Sequence, residues 1–140
     1  ERKRMKLTRK TIVNAQGPLG RLGAEKFKGA NAGKITYNIA RNIGVTAPIV
    51  EAYSKAQNAL IEKYRRKKKA VKEGEEDVWV IPDENQRAFQ EESEALLAEE
   101  EEINNVFLVT LPAPTEENPL QINGLDRYLL DWMIKVEGEE

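Results

Sequence analysis

Apolar residues recur at helical spacing most clearly between Lys34 and Lys72. Ile49, Tyr53, Ala56, Leu60 and Tyr64 follow one another at steps of four, three, four and four, which puts them on one face of an α-helix. The opposite face carries Glu51, Lys55, Glu62, Lys63 and Arg66; Glu51 precedes Lys55, and Glu62 precedes Arg66, by four residues, the order that favours helix ion pairs. Upstream, Ile35, Ile39 and Ile43 continue a similar stripe, but Gly44 and Pro48 interrupt it. An interior proline removes a backbone hydrogen bond and costs about 3 kcal/mol, so the pattern predicts a kink or a break there. In the case of a break, Thr46 is the natural N-cap of a second helix, with Pro48 in its first turn.

The flanking segments give shorter elements. Leu7, Thr8 and Ile12 read as a helix start with Thr8 as N-cap and a Leu7–Ile12 staple, continued by Ile12, Ala15, Leu19 and Leu22. Gly17, Pro18, Gly20 and Gly23 weaken that helix and bend or split it around Gly17–Pro18. A loop from Phe27 to Gly33 leads to the central helix, with Asn31 as its candidate N-cap. Gly74 marks a turn between halves, and Val78-Trp79-Val80-Ile81, ending at Pro82, reads as a short edge strand. Asp83 with Gln86 resembles a capping box for a helix over about Glu84 to Glu102, whose Phe89, Leu96 and Ile103 form a narrow seam suited to the Ile49–Tyr64 face. Val106 to Leu111 is the best strand and is expected to pair with Val78–Ile81. Pro112, Pro114 and Pro119 mark a loop, after which Leu125, Tyr128, Leu129, Trp132, Met133 and Val136 predict a last core helix.

These elements predict a mainly α (α+β) fold: a helical bundle or hairpin with a kinked central helix and a small two-stranded antiparallel sheet. Residues 1–6 read as a flexible basic start, with Met5 the natural first residue, and residues 7–140 as one helical domain. Within it the charge is divided. Residues 1–72 hold 19 Lys and Arg against 4 Asp and Glu, and residues 73–140 hold 3 against 20, so the halves carry +15 and −17 behind a net charge of −2. Such bipolarity suits two halves that neutralise each other, an acidic face offered to a basic partner, or a basic half that binds nucleic acid.

The chain has neither cysteine nor histidine, which excludes disulfides, thiolate metal sites and thiol or histidine catalysis. Ser54 and Ser93 consequently have no histidine to activate them. The glutamates from Glu91 to Glu102 lack the histidines and facing carboxylates of a di-metal site, so no metal or cofactor is expected and the chain reads as non-enzymatic. With no apolar run near 18 residues and no signal-peptide core, no membrane span or export is expected, and the default location is intracellular. Two cationic sets are candidates for binding a partner or phosphate. Lys34, Asn38, Arg41 and Asn42 form a polar stripe beside the isoleucines, and Arg65, Arg66, Lys67, Lys68 and Lys69 close the central helix, where cations suit the helix dipole.

The pattern resembles a family of small, functionally uncharacterised proteins encoded by tailed phages and prophages. It does so in Leu7-Thr8 with Asn14-Ala15, in the run Lys34-Ile35-Thr36-Tyr37-Asn38-Ile39-Ala40-Arg41-Asn42, in Ala56 to Tyr64, in Phe89 with Glu94-Ala95-Leu96-Leu97, and in Leu129 to Ile134. The chain departs from that pattern at Gly17–Pro18 and Pro48, where the resemblance leads one to expect uninterrupted helix. The resemblance implies a phage origin and a place in the host cytoplasm or the virion, without supplying an activity. The expected function is a protein–protein interaction module, either a virion or assembly component or an inhibitor of a host protein, in which oligomerisation is one mode of contact. The alternative is nucleic-acid binding through the basic half.

Overall fold

The computed structural model describes residues 2–117, 119 and 122–139. It opens on a basic strand, β1 (Arg2–Thr8), paired antiparallel with the acidic strand β4 (Glu100–Phe107), with Lys6 opposite Glu102, Leu7 opposite Glu101 and Thr8 opposite Glu100. Arg2–Lys6, expected as part of a flexible start, therefore lie in a strand together with Leu7 and Thr8; Glu1 lies outside the described residues. The acidic strand complements its charge, and Met5 and Leu7 pack against the core.

Thr8 caps α1 (Arg9–Asn14) as expected, its hydroxyl accepting the Thr11 N–H at 3.2 Å. The helix splits at Ala15, and α2 (Gln16–Ala24) carries Pro18 in its first turn, where a missing N–H breaks no helical bond. Ile12, Ala15, Leu19 and Leu22 are all buried.

The central helix α3 (Ala32–Tyr64) runs 33 residues, about 50 Å at 1.5 Å per residue. It passes through Gly44–Pro48 without the break that the proline allowed. The carbonyl deprived of its donor belongs to Gly44, an exposed residue where water can satisfy it. Thr46, the expected N-cap, is buried inside the helix and its hydroxyl donates to the Asn42 carbonyl at 2.9 Å. Asn31 does precede the helix, but its side chain makes no capping bond.

At its far end α3 stops before the cationic run. Arg65 is extended, and Arg66–Lys68 form β2, antiparallel to β3 (Val78–Val80). Gly74 turns the connecting loop at φ +88°, a left-handed conformation that suits glycine. The expected pairing of Val78–Ile81 with Val106–Leu111 does not form, because β2 is nearer along the chain and the shorter loop costs less entropy to close. Val106 and Phe107 belong to β4 instead, and β5 (Val109–Leu111) pairs in parallel with β6 (Ile134–Val136).

Returning from the β2–β3 hairpin, α4 (Asp83–Ala98) runs antiparallel along α3, with Tyr64 edge-on to Phe89 at a 6.2 Å centroid separation. It ends at Ala98, short of the expected Glu102, because β1 recruits the following glutamates into a strand. Pro82 rather than Asp83 is its N-cap, while Gln86 reaches back to the Ile81 carbonyl at 3.3 Å.

The last helix is also shorter than its periodicity implies. α5 (Gly124–Leu129) gives way to β6, since Ile134 and Val136 satisfy strand alternation and β5 offers them a hydrogen-bonding edge. Leu125 and Tyr128, expected in the core, are exposed, whereas Leu130, Met133 and Val136 are buried. The α+β class holds, with three two-stranded sheets among the described residues in place of one.

Burial is concentrated at one end. The core joins α1, α2, the first half of α3, β4, β5 and β6 in a head. Among the described residues none between Thr46 and Ile103 is buried. That stretch, comprising the second half of α3, the β2–β3 hairpin and α4, forms an arm whose α3 portion measures about 27 Å.

Candidate interaction surfaces

The two cationic sets lie at opposite ends of α3. The first is mostly structural. Asn42 is buried and grips one residue of β4 at both ends of its amide, donating to the Phe107 carbonyl and accepting the Phe107 N–H, each at 2.7 Å. One turn earlier, Asn38 donates to the Leu108 carbonyl at 3.2 Å. Phe107 and Leu108 lie where the chain passes from β4 to β5, so the two asparagines fasten α3 to backbone groups left over between the ladders. Arg41 sits 5.3 Å from the centroid of the Phe107 ring, with Arg2 at 5.9 Å. Lys34 remains exposed and lines an open cavity.

The second set begins at the tip of the arm. The β2–β3 register places Lys67 opposite Trp79, and Arg66 and Lys68 opposite Val80 and Val78, so each face of the hairpin mixes cations with apolar side chains. The Arg65 guanidinium lies 4.1 Å from the centroid of the Trp79 ring, and Trp79 is still 56% exposed. Arg65 reaches Glu62 at 3.3 Å rather than leaving it to Arg66, and Lys67 reaches Asp77 at 3.8 Å. Among the described residues Arg66, Lys68 and Lys69 have no ion pair. Sequence periodicity could not mark Trp79 as part of this tip, because its partner strand was read as helix.

Between tip and head, α3 and α4 touch along a half-buried seam. The Tyr64 hydroxyl and the Lys63 ammonium hold the Glu92 carboxyl below its ordinary value, and Lys63 is raised in turn, chiefly by its 3.0 Å contact with Glu92. Beside the seam runs an open groove of about 420 Å³ with Ile81, Phe89 and Leu97 as its apolar lining and Gln86, Gln90 and Glu94 along α4. Gln57 borders it, its amide 3.4 Å from Ser93 and its Oε1 shielded from solvent and, among the described residues, without a donor.

The bipolar charge is matched mainly where the arm rejoins the head. Arg9 donates to Glu101 at 2.9 and 3.1 Å and to the Leu96 carbonyl at 2.8 Å, and it meets Glu99 at 3.0 Å. Hydrogen bonding to Glu101 is the main reason its pKa is raised. Arg4 pairs with Glu102 at 3.3 Å. On the head, Arg21 forks onto Asp126 at 2.7 and 2.8 Å and holds that carboxyl below its usual range.

Among the described residues no group of three or more acids is placed to hold a metal ion, and no helix is long and apolar enough to cross a membrane. The chain matches no protein-family model, no curated protein and no solved structure.

Proposed function

We propose that the chain is a non-enzymatic, phage-derived protein–protein interaction module that works in the host cytoplasm or the virion, as an assembly component or as an inhibitor of a host protein. The observation that carries this reading is the arm: a long helical hairpin without a buried residue, displaying an apolar groove and an exposed tryptophan. Two helices that share only a half-buried seam leave apolar surface for a third element. The groove lies along α4, which carries Asp83, Glu84, Glu91, Glu92 and Glu94 against Arg87 alone, so the occupant is an amphipathic segment with apolar anchors and basic flanks. A bend at Gly44–Pro48 sets the direction in which the arm presents that groove. The phage origin rests on the sequence resemblance.

The test is co-purification from host and virion lysates with wild-type protein and a Leu97→Arg variant. A stoichiometric partner retained by the wild type and lost by the variant is expected. Absence of any stoichiometric partner, or equal retention by the variant, overturns the reading.

Nucleic-acid binding is the second reading, favoured by Trp79 beside Arg65 and opposite Lys67, on a tip where Arg66, Lys68 and Lys69 form no ion pair among the described residues. Stacking on an aromatic ring beside phosphate-neutralising cations is how single strands are held. Labelled DNA and RNA should then bind at low salt and be released steeply as salt rises. No binding at low salt removes it.

A further inference from the structure

The head holds a second candidate site, distinct from the arm. Where β4 passes into β5 beneath the first turns of α3, an open cavity of about 530 Å³ is lined by Lys3 from β1, Lys34 from α3 and Lys135 from β6. The fold brings these three elements together by separate means. Asn38 and Asn42 tie α3 to Leu108 and Phe107, Lys3 lies opposite Val106 in the β1–β4 ladder, and Lys135 lies opposite Thr110 in the β5–β6 pair. Among the described residues none of the three lysines has an ion pair or a side-chain hydrogen bond. Among the described residues Glu137 is the one carboxylate that lines the cavity with them. Like charges gathered from three elements repel one another, and nothing in the fold requires lysine at these exposed positions.

We infer that this cavity binds the phosphate group of a small phosphorylated ligand. Three lysines against one carboxylate leave two positive charges unmatched, which is the charge of a phosphomonoester dianion near neutral pH. Thr110 and Asn31, also in the lining, offer a hydroxyl and an amide to the remaining oxygens, and the Asn31 side chain is not engaged in capping. The start of α3 strengthens the same field, since its first turn contains no acidic residue and Lys34 stands in it. The cavity falls within the volume range of small-molecule pockets and is large enough for more than the phosphate. Its floor includes Ile35 and Leu108, apolar surface against which a ligand body can rest.

Calorimetric titration with inorganic phosphate and with pyrophosphate at low ionic strength tests the assignment. The full chain is compared with a Lys34→Gln/Lys135→Gln double variant and with a Lys10→Gln/Lys55→Gln double variant of the same net charge, placed outside both candidate surfaces. Saturable binding of one equivalent is expected, weakened at least tenfold in the first variant and unchanged in the second. A 5′-phosphorylated oligonucleotide and its unphosphorylated form separate the sources. A small-ligand site takes pyrophosphate more tightly than either, and tighter binding of both oligonucleotides than of pyrophosphate overturns it. Absence of saturable binding, or equal weakening in both variants, also overturns it. All four lysines are exposed, so a thermal melt matching the wild type confirms that each variant is folded.

Discussion

One helix serves both the head and the arm of this protein, and the two halves of that helix differ in burial though not in periodicity. In the head, Ile35, Ile39, Asn42 and Thr46 step along α3 at helical spacing and are all buried, because α1 and α2 pack beside them and β4 and β5 pass across them. Beyond Ile49, which still packs against the head's core, Tyr53, Ala56, Leu60 and Tyr64 continue at the same spacing in the arm and are only half-buried, with α4 lying along this half of the helix. An apolar stripe therefore specifies a face, and the number of elements that cover it decides how much free energy it yields. The head holds the buried core cluster. The arm has surface to spare, which is what a docking element requires.

Core truncation separates the two halves most sharply. Ile39→Ala removes a side chain that is 1% exposed and should destabilise the protein by about 3 kcal/mol, whereas Leu60→Ala on the arm should cost about 1 kcal/mol. Equilibrium denaturation of both variants checks the difference; equal costs would show that the arm is as tightly built as the head. Next in size is Asn42→Leu. It strands the Phe107 N–H and carbonyl in a half-buried site, a loss of about 2 kcal/mol that a surface asparagine would not incur. If Asn42→Leu matches wild-type stability, the clamp is not what fixes α3 to the sheet.

These contrasts also explain what could be read in advance. Ile12, Ala15, Leu19 and Leu22 were legible as core because a helical face is written in local spacing. So was the facing of α4 towards the Ile49–Tyr64 face of α3, although Ile103, read as part of that seam, lies in β4. The strands were not, because each is decided by a partner distant in sequence. Val136 continues the helical stripe of Trp132 and Met133, but Ile134 and Val136 also alternate as a strand, and the edge of Val109–Leu111 settles the choice. Residues 1–6 read as a basic tail, although the complement of Arg2–Thr8, Glu100–Phe107, includes glutamates at the end of an expected helix. The candidate residues divide along the same line. Asn38 and Asn42 were visible as a polar stripe, but only the position of Phe107 and Leu108 shows that they fasten the fold. Lys3 and Lys135 carry no local mark at all, since the cavity they share with Lys34 exists only once β1, β6 and α3 have met.

Exchange of backbone amides gives a smaller but more detailed contrast. Amides of α3 beyond Thr46 and of α4 should open at lower free energy than those between Ile35 and Asn42, because local opening there exposes little buried surface. Hydrogen–deuterium exchange resolved along α3 should show protection falling after Thr46. A uniform profile from Ile35 to Tyr64 would mean that the arm and the head unfold as one unit.

The smallest expected difference is in the response to acid. Arg21 lowers the Asp126 pKa in the head, and Tyr64 with Lys63 lowers the Glu92 pKa in the arm. A carboxyl whose folded pKa is depressed stabilises the fold fully above its unfolded value, about 4, and loses that contribution as pH falls through the folded value. For Asp126 the partner is bidentate and the carboxylate side chain is 7% exposed, so the titration is coupled to head stability. For Glu92 both charges stand largely in water, at 57% and 42% side-chain exposure, where ion pairs are weak. Arg21→Gln should therefore lower the melting temperature at pH 7, with the deficit shrinking below about pH 4 as the wild type loses the same interaction. Glu92→Gln should leave the melting temperature nearly unchanged at both pH values. A deficit for Arg21→Gln that stays constant from neutral pH into acid would mean that Arg21 acts through packing and not through the Asp126 charge.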